Sequence, residues 1–121
     1  MKNKCLYLVV MLALVLAPTV AAAESWTNVS LVDTNCSGKV AANPDAHTRE
    51  CALKCASSGF GILAADGKYL KFDADGSAKA VALLKGSDRK DHLRVNLTGA
   101  LAGETIAVQT IEMAAAAPAA K

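Results

Sequence analysis

The chain has 121 residues, 53% of them hydrophobic but only 4% aromatic, and its 13 Lys and Arg nearly balance 11 Asp and Glu. That length supports one domain, the slight charge surplus gives no footing for nucleic acid or anionic lipid, and the few aromatics foretell a thin core.

Residues 1–23 read as an export signal. Lys2 and Lys4 form a short basic region, Leu6 to Ala17 is an apolar run, Pro18 breaks it, and Ala21-Ala22-Ala23 supplies small residues before Glu24. The run from Cys5 to Ala23 could just span a bilayer, which takes about 20 residues, but the alanine-rich end and Pro18 favour cleavage. Cys5 and the two lysines then leave with the leader, and eleven charges of each sign remain. The expected product is periplasmic or secreted, monomeric and without a membrane span, and in such a compartment disulfides persist.

Trp26 to Val32 is rich in β-formers and alternates loosely, which predicts a first strand. Asp33 to Ala42 is polar and reads as a loop. Asn43-Pro44-Asp45 predicts a helix start, with Asn43 as N-cap, Pro44 first in the helix and Asp45 near the positive end of the dipole. That helix is expected to run to about Ser57, with Gly59 as terminator. Phe60, Ile62 and Ala64 alternate, Asp66-Gly67 turns the chain, and Leu70 and Phe72 continue the alternation, predicting a β-hairpin with a type I′ turn. Asp73 to Gly76 reads as a turn and Ser77 to Lys85 as a short helix. Leu93, Val95 and Leu97 mark a fourth strand, and Thr105 to Glu112 a fifth.

Five strands, with a helix between the third and fourth, is the order of an OB-type barrel. The expected fold is therefore mainly β with short helices, a five-stranded OB-like barrel carrying a helical Cys/His insertion between strands 1 and 2. An open α+β sheet is the alternative. The expected domain spans 24–113, and Ala114 to Lys121 is expected to be a disordered Ala/Pro tail.

The residues that stand out are Cys36, His47, Cys51 and Cys55. The pattern Val32-Asp33-x-x-Cys36, His47-x3-Cys51-x3-Cys55 and an Asp66-Gly67-Lys68 hairpin is followed by Val95-x-Leu97-x-Gly99 and Gly103-Glu104-Thr105-Ile106-x-Val108. Over most of the exported chain this resembles a set of small exported bacterial proteins. The resemblance implies OB-like architecture and export, and it assigns no activity.

On a continuous helix, His47, Cys51 and Cys55 share one face. The Cα atoms of His47 and Cys55 would lie about 12 Å apart, too far for one ion. A metal such as zinc or copper could then use His47 with Cys51, or Cys51 with Cys55, adding Cys36 from the loop and Asp33 or water. A Cys51–Cys55 disulfide fits poorly because the Cβ vectors run parallel, whereas Cys36–Cys51 or Cys36–Cys55 would pin the insertion to the first strand. A third course is a redox thiol, with His47 beside Cys51 lowering its pKa. No Cys-x2-Cys thioredoxin motif and no Cys-x2-Cys-His haem site occurs.

Other candidates read as structural. Counted from Asp73, the calcium-like run has its glycine fourth and Leu84 twelfth, unlike an EF-hand loop. Asn28-Val29-Ser30 and Asn96-Leu97-Thr98 match a glycosylation sequon but fall in strands. His92 reads as a solvated strand start, Trp26 as a plug at the barrel's end, and the charges around Lys85, Arg89, Lys90 and Arg94 as a solvated face. Nothing supports catalysis. The expectation is an exported non-enzymatic binding module of the cell envelope, its insertion stapled by a disulfide or a Cys/His metal site, and its partner a small molecule or envelope protein. The alternative is a thiol- or metal-dependent periplasmic redox protein.

Overall fold

The computed structural model describes residues 23–115; all but the last residue of the expected leader and all but the first two residues of the expected tail lie outside that range. Five strands, β1 (Glu24–Asp33), β2 (Phe60–Leu63), β3 (Tyr69–Phe72), β4 (Arg94–Ala102) and β5 (Thr105–Met113), close into a barrel in the order β1-β2-β3-β5-β4. This is the strand order of an OB-type barrel, with a twelve-residue helix between β3 and β4 and a helical insertion between β1 and β2. Among the described residues, no helix is long and apolar enough to cross a membrane.

Every strand serves two neighbours, and β1 and β5 show how the barrel closes. The first half of β1 pairs antiparallel with β4, and its last residues, Ser30 to Asp33, pair with β2. The hand-over needs a bend, which Asn28 supplies with φ 54° at a bulge between Trp26 and Val29. At the other seam β5 runs antiparallel to β4 and parallel to β3, where Lys71 faces Thr105 and Phe72 faces Ile106. Inward positions of the strands meet as Leu31, Phe60, Ile62, Leu70, Phe72, Val95, Leu97, Ile106 and Val108, all buried. Two large aromatics suffice because aliphatic residues from every strand fill the rest.

The helix α3, Ala74–Lys85 by chain order third after two short helices of the insertion, closes one end of the barrel with Ala80 and Leu84. It starts three residues earlier than its alanine pattern suggests. Asp73 is the N-cap, its side chain accepting from the Gly76 backbone N–H at 2.9 Å, so the expected turn is the helix's own first turn. The β2–β3 hairpin also differs from expectation. Gly67 takes φ +83°, but Asp66 stays at negative φ, since Asn28 and His92 are the only non-glycine exceptions among the described residues. A type I′ turn needs both central residues at positive φ, so the connection instead places its single left-handed residue after Asp66. Ala114 still belongs to the fold: it is 3% exposed, its N–H donates to the Arg94 carbonyl, and its carbonyl accepts from Arg89.

The insertion departs furthest from the sequence reading. No single helix runs from Pro44 to Ser57. The chain makes a 3-10 turn (Thr34–Cys36), a short helix α1 (Ser37–Val40), a second 3-10 turn (Pro44–Ala46), a helix α2 (Arg49–Lys54) and a third 3-10 turn (Ala56–Ser58). Asn43 makes no capping bond. His47 is extended, with φ −70° and ψ 123°, and Thr48 caps α2 by accepting from the Cys51 N–H.

Long-range polar contacts explain the break. Arg94 of β4 holds the Asp45 carboxylate through two bonds of 2.9 and 3.0 Å, and the His92 N–H donates to the Asp45 carbonyl. Arg49 donates from its backbone to Lys90 and from its Nε to the Leu84 carbonyl, seating α2 beneath α3 with Ala52 fully buried. A continuous helix could not satisfy both anchors.

Candidate metal centre

The centre begins at the last residue of β1. Asp33 faces inward, 0% exposed, where an ionised carboxylate must be matched by donors. It finds two. Its Oδ2 caps the Thr34–Cys36 turn by accepting from the Cys36 N–H at 3.0 Å, and its Oδ1 lies 2.7 Å from Nε2 of His47, which is 5% exposed. A carboxylate only accepts, so the proton between them sits on Nε2 of the ring. The extended backbone at His47 is what turns its imidazole inward to this partner.

Cys36 completes a triad. Its Sγ, an oxygen of Asp33 and a ring nitrogen of His47 all lie within 4.8 Å of one another. Three donor atoms around one tetrahedral zinc sit roughly 3.3–3.8 Å apart, given bonds of about 2.0–2.3 Å. The set therefore needs only small side-chain adjustments to converge. Asp33, Cys36 and His47 would hold the ion, whose charge would take over from the proton shared by Asp33 and His47. Cys36 is half-buried, while the other two are buried, so a fourth coordination position would open on the side of Cys36.

Electrostatics set the state of the thiol. Burial, then the hydrogen bond and charge of Asp33, then the neighbouring Cys55, push the Cys36 thiol up to about 11. This is the opposite of the depressed thiol on which redox cysteines rely. A bound cation would reverse the local balance, because it favours the thiolate that the lone carboxylate disfavours.

The structure redistributes the four residues singled out by sequence. Cys36 and His47 come together, joined by Asp33, and Cys55 lies near enough to raise the Cys36 thiol further. Cys51 is exposed on α2 and is not in the Asp33–Cys36–His47 group. The three sulfurs are free thiols. The route that brings Cys55 in is continuous: Asp33 pairs with Phe60, the Thr34 N–H donates to the Gly59 carbonyl, and the Asn35 N–H donates to Ser58 Oγ. Asn35 Nδ2 then lies 3.5 Å from the Cys55 sulfur. Tyr69 closes the flank, its hydroxyl 3.0 Å from Thr34 Oγ1, and burial raises its pKa.

Asp33 was visible in the sequence only as an optional fourth ligand; the Asp-x-x-Cys capping pattern is the signal that raises it to the centre. Nothing local foretold the Asp45–Arg94 pair.

Away from this centre, Trp26 is half-buried rather than a sealed plug. It borders an open groove of about 530 Å³ together with Asn96, Thr98, Thr110 and Glu112. Of the expected basic face, Arg94 is committed to Asp45 and Arg89 to Ala114, and exposed His92 bonds Asp91. Compared with protein-family models, with curated proteins and with solved structures, the chain finds no match.

Proposed function

We propose that the chain is an exported, non-enzymatic binding module of the cell envelope, whose β1–β2 insertion holds one zinc-class ion through Asp33, Cys36 and His47. The observation that carries the reading is the convergence of a carboxylate, a thiol and an imidazole within 4.8 Å at a buried strand end. Oxygen, nitrogen and sulfur together suit borderline-soft zinc; copper(I) would prefer more sulfur, and magnesium or calcium only oxygen. Three protein ligands leave a tetrahedral ion one position for a small molecule or a side chain of an envelope partner. The ion would also staple the insertion to β1, since its ligands come from the strand end, the first turn and the segment before α2.

Titration of the reduced chain with zinc, followed by native mass spectrometry, tests this. One equivalent should bind, and binding should fall at least tenfold in Cys36→Ser and in His47→Gln but persist in Cys51→Ser. Unchanged binding in Cys36→Ser, or loss of binding in Cys51→Ser, would overturn the assignment. The intact mass of the same preparation should correspond to a chain beginning at Glu24 if the leader is cleaved as expected.

A further inference from the structure

Cys36 has two neighbours of different chemistry. On one side stand Asp33 and His47, the other two members of the candidate site. On the other stands Cys55, brought near Cys36 where the β1–β2 ladder runs out through Thr34–Gly59 and Asn35–Ser58, with its sulfur 3.5 Å from Nδ2 of the adjoining Asn35. A sulfur bonded to another sulfur is no longer a thiolate and cannot ligate a metal as one. The two partners of Cys36 therefore compete for one atom.

Resting on the metal-site reading, we propose that Cys36 and Cys55 form a redox gate on it: a low-molecular-weight disulfide joins them and expels the ion, and reduction restores the site. The chemistry balances without a further reactant. The thiolate of Cys55 attacks the small disulfide, forming a mixed disulfide and releasing one small thiol. The sulfur of Cys36 then attacks the Cys55 sulfur, releasing the second small thiol and forming the Cys36–Cys55 bond. The two cysteines lose two electrons and two protons, and the small disulfide gains them.

The geometry favours this pair over the others. Cys51 and Cys55 bracket the end of α2, where the Cys55 N–H donates to the Cys51 carbonyl, so their side chains leave one short helix in nearly the same direction. Cys51 is exposed, whereas Cys36 and Cys55 are both partly covered and held by backbone bonds on either side. Asn35 orients the Cys55 sulfur through its amide. With an ion bound, Cys55 would be the thiol that meets the small disulfide first, and formation of the Cys36–Cys55 bond would remove Cys36 as a ligand. The ion would thus be held while the two thiols stay reduced and surrendered when they are joined.

The test uses the purified chain, reduced and loaded with one equivalent of zinc, and then treated with oxidised glutathione. Zinc release is followed with a chromogenic chelator, and the sulfur linkage is mapped by mass spectrometry of peptides. Release should proceed in step with a Cys36–Cys55 link and a loss of two hydrogens, and dithiothreitol should restore one equivalent of binding. Cys51→Ser should behave as the wild type. Cys55→Ser should bind zinc within about threefold of the wild type yet form no internal link. An oxidised chain that carries the Cys36–Cys55 bond and still binds zinc as tightly would overturn the gate and leave the site standing. A link through Cys51 instead would do the same. A reduced chain that takes up no zinc would overturn both, and the peptide map would still show whether the two sulfurs pair.

Discussion

Replacing Asp33 separates what this carboxylate does for the fold from what it does for a metal. Asp33→Ala removes the cap of the Thr34–Cys36 turn, worth about 1 kcal/mol. It also leaves the ring N–H of a 5%-exposed His47 without its acceptor, a cost of about 1–3 kcal/mol. The expected loss is therefore about 2–4 kcal/mol, a large share of the roughly 5–15 kcal/mol that holds a small domain together. At about 5 °C per kcal/mol for a domain of this size, the melting temperature should fall by on the order of 15 °C. Asp33→Asn should behave differently. Its amide oxygen can accept from the Cys36 N–H while its NH2 donates to His47 in the other tautomer. Its cost should stay under about 1 kcal/mol. Urea denaturation of the reduced, metal-free protein measures both. Zinc affinity should nonetheless fall in the Asn variant, because the anionic oxygen ligand is gone. An Ala variant within about 0.5 kcal/mol of the wild type would refute the claim that Asp33 organises this end of the barrel. An Asn variant as damaged as Ala would show that charge, not hydrogen-bond geometry, is what matters.

Other predictions follow from single contacts. A Cβ on Gly61 would sit against the Leu70 carbonyl and 2.7 Å from the Tyr69 ring, so Gly61→Ala should destabilise the β2–β3 pair by more than about 2 kcal/mol in the same denaturation assay. The hydrogen bond from Arg94, assisted by its charge, lowers the Asp45 pKa below its unfolded value. Its stabilisation is therefore present above the unfolded carboxylate pKa and is lost as pH falls through the folded one. Both side chains are about a third exposed, which limits the contribution to about 1 kcal/mol. Wild-type stability should thus decline more steeply on acidification below about pH 4 than that of Asp45→Asn. With iodoacetamide at pH 8, exposed Cys51 should be alkylated first and Cys36, whose thiol is pushed up to about 11, last. Closing the Cys36–Cys55 loop by oxidation should raise stability by about 3 kcal/mol in the chain-entropy account, read as a higher urea midpoint.

The barrel was legible because its signals are local. Alternation in Phe60–Phe72 and Leu93–Leu97, with turns at Asp66-Gly67 and Gly103, places strands whatever the insertion does. Closure could be inferred from element order, because an open sheet of this size would leave edges unpaired. The insertion was not legible in the same way. Asn43-Pro44 is a good helix start, yet Thr48, followed by Glu50 in the first turn, is the one that operates. The choice between them is made by Arg94, 49 residues from Asp45, and by Asp33, 14 residues from His47. Such contacts leave no trace in periodicity. The i, i+4, i+8 spacing of His47, Cys51 and Cys55 therefore misled: with His47 outside the helix, it faces Cys36 and Asp33, and the distance limit drawn for a continuous helix no longer governs which residues meet.

Zinc-edge X-ray absorption of the reduced, zinc-loaded chain tests the proposed centre most directly. The account predicts one sulfur neighbour at about 2.3 Å, with nitrogen and oxygen neighbours making up the rest at about 2.0–2.2 Å. A shell of two or three sulfurs would contradict it, because Cys51, Cys55 or both would then join Cys36 as ligands.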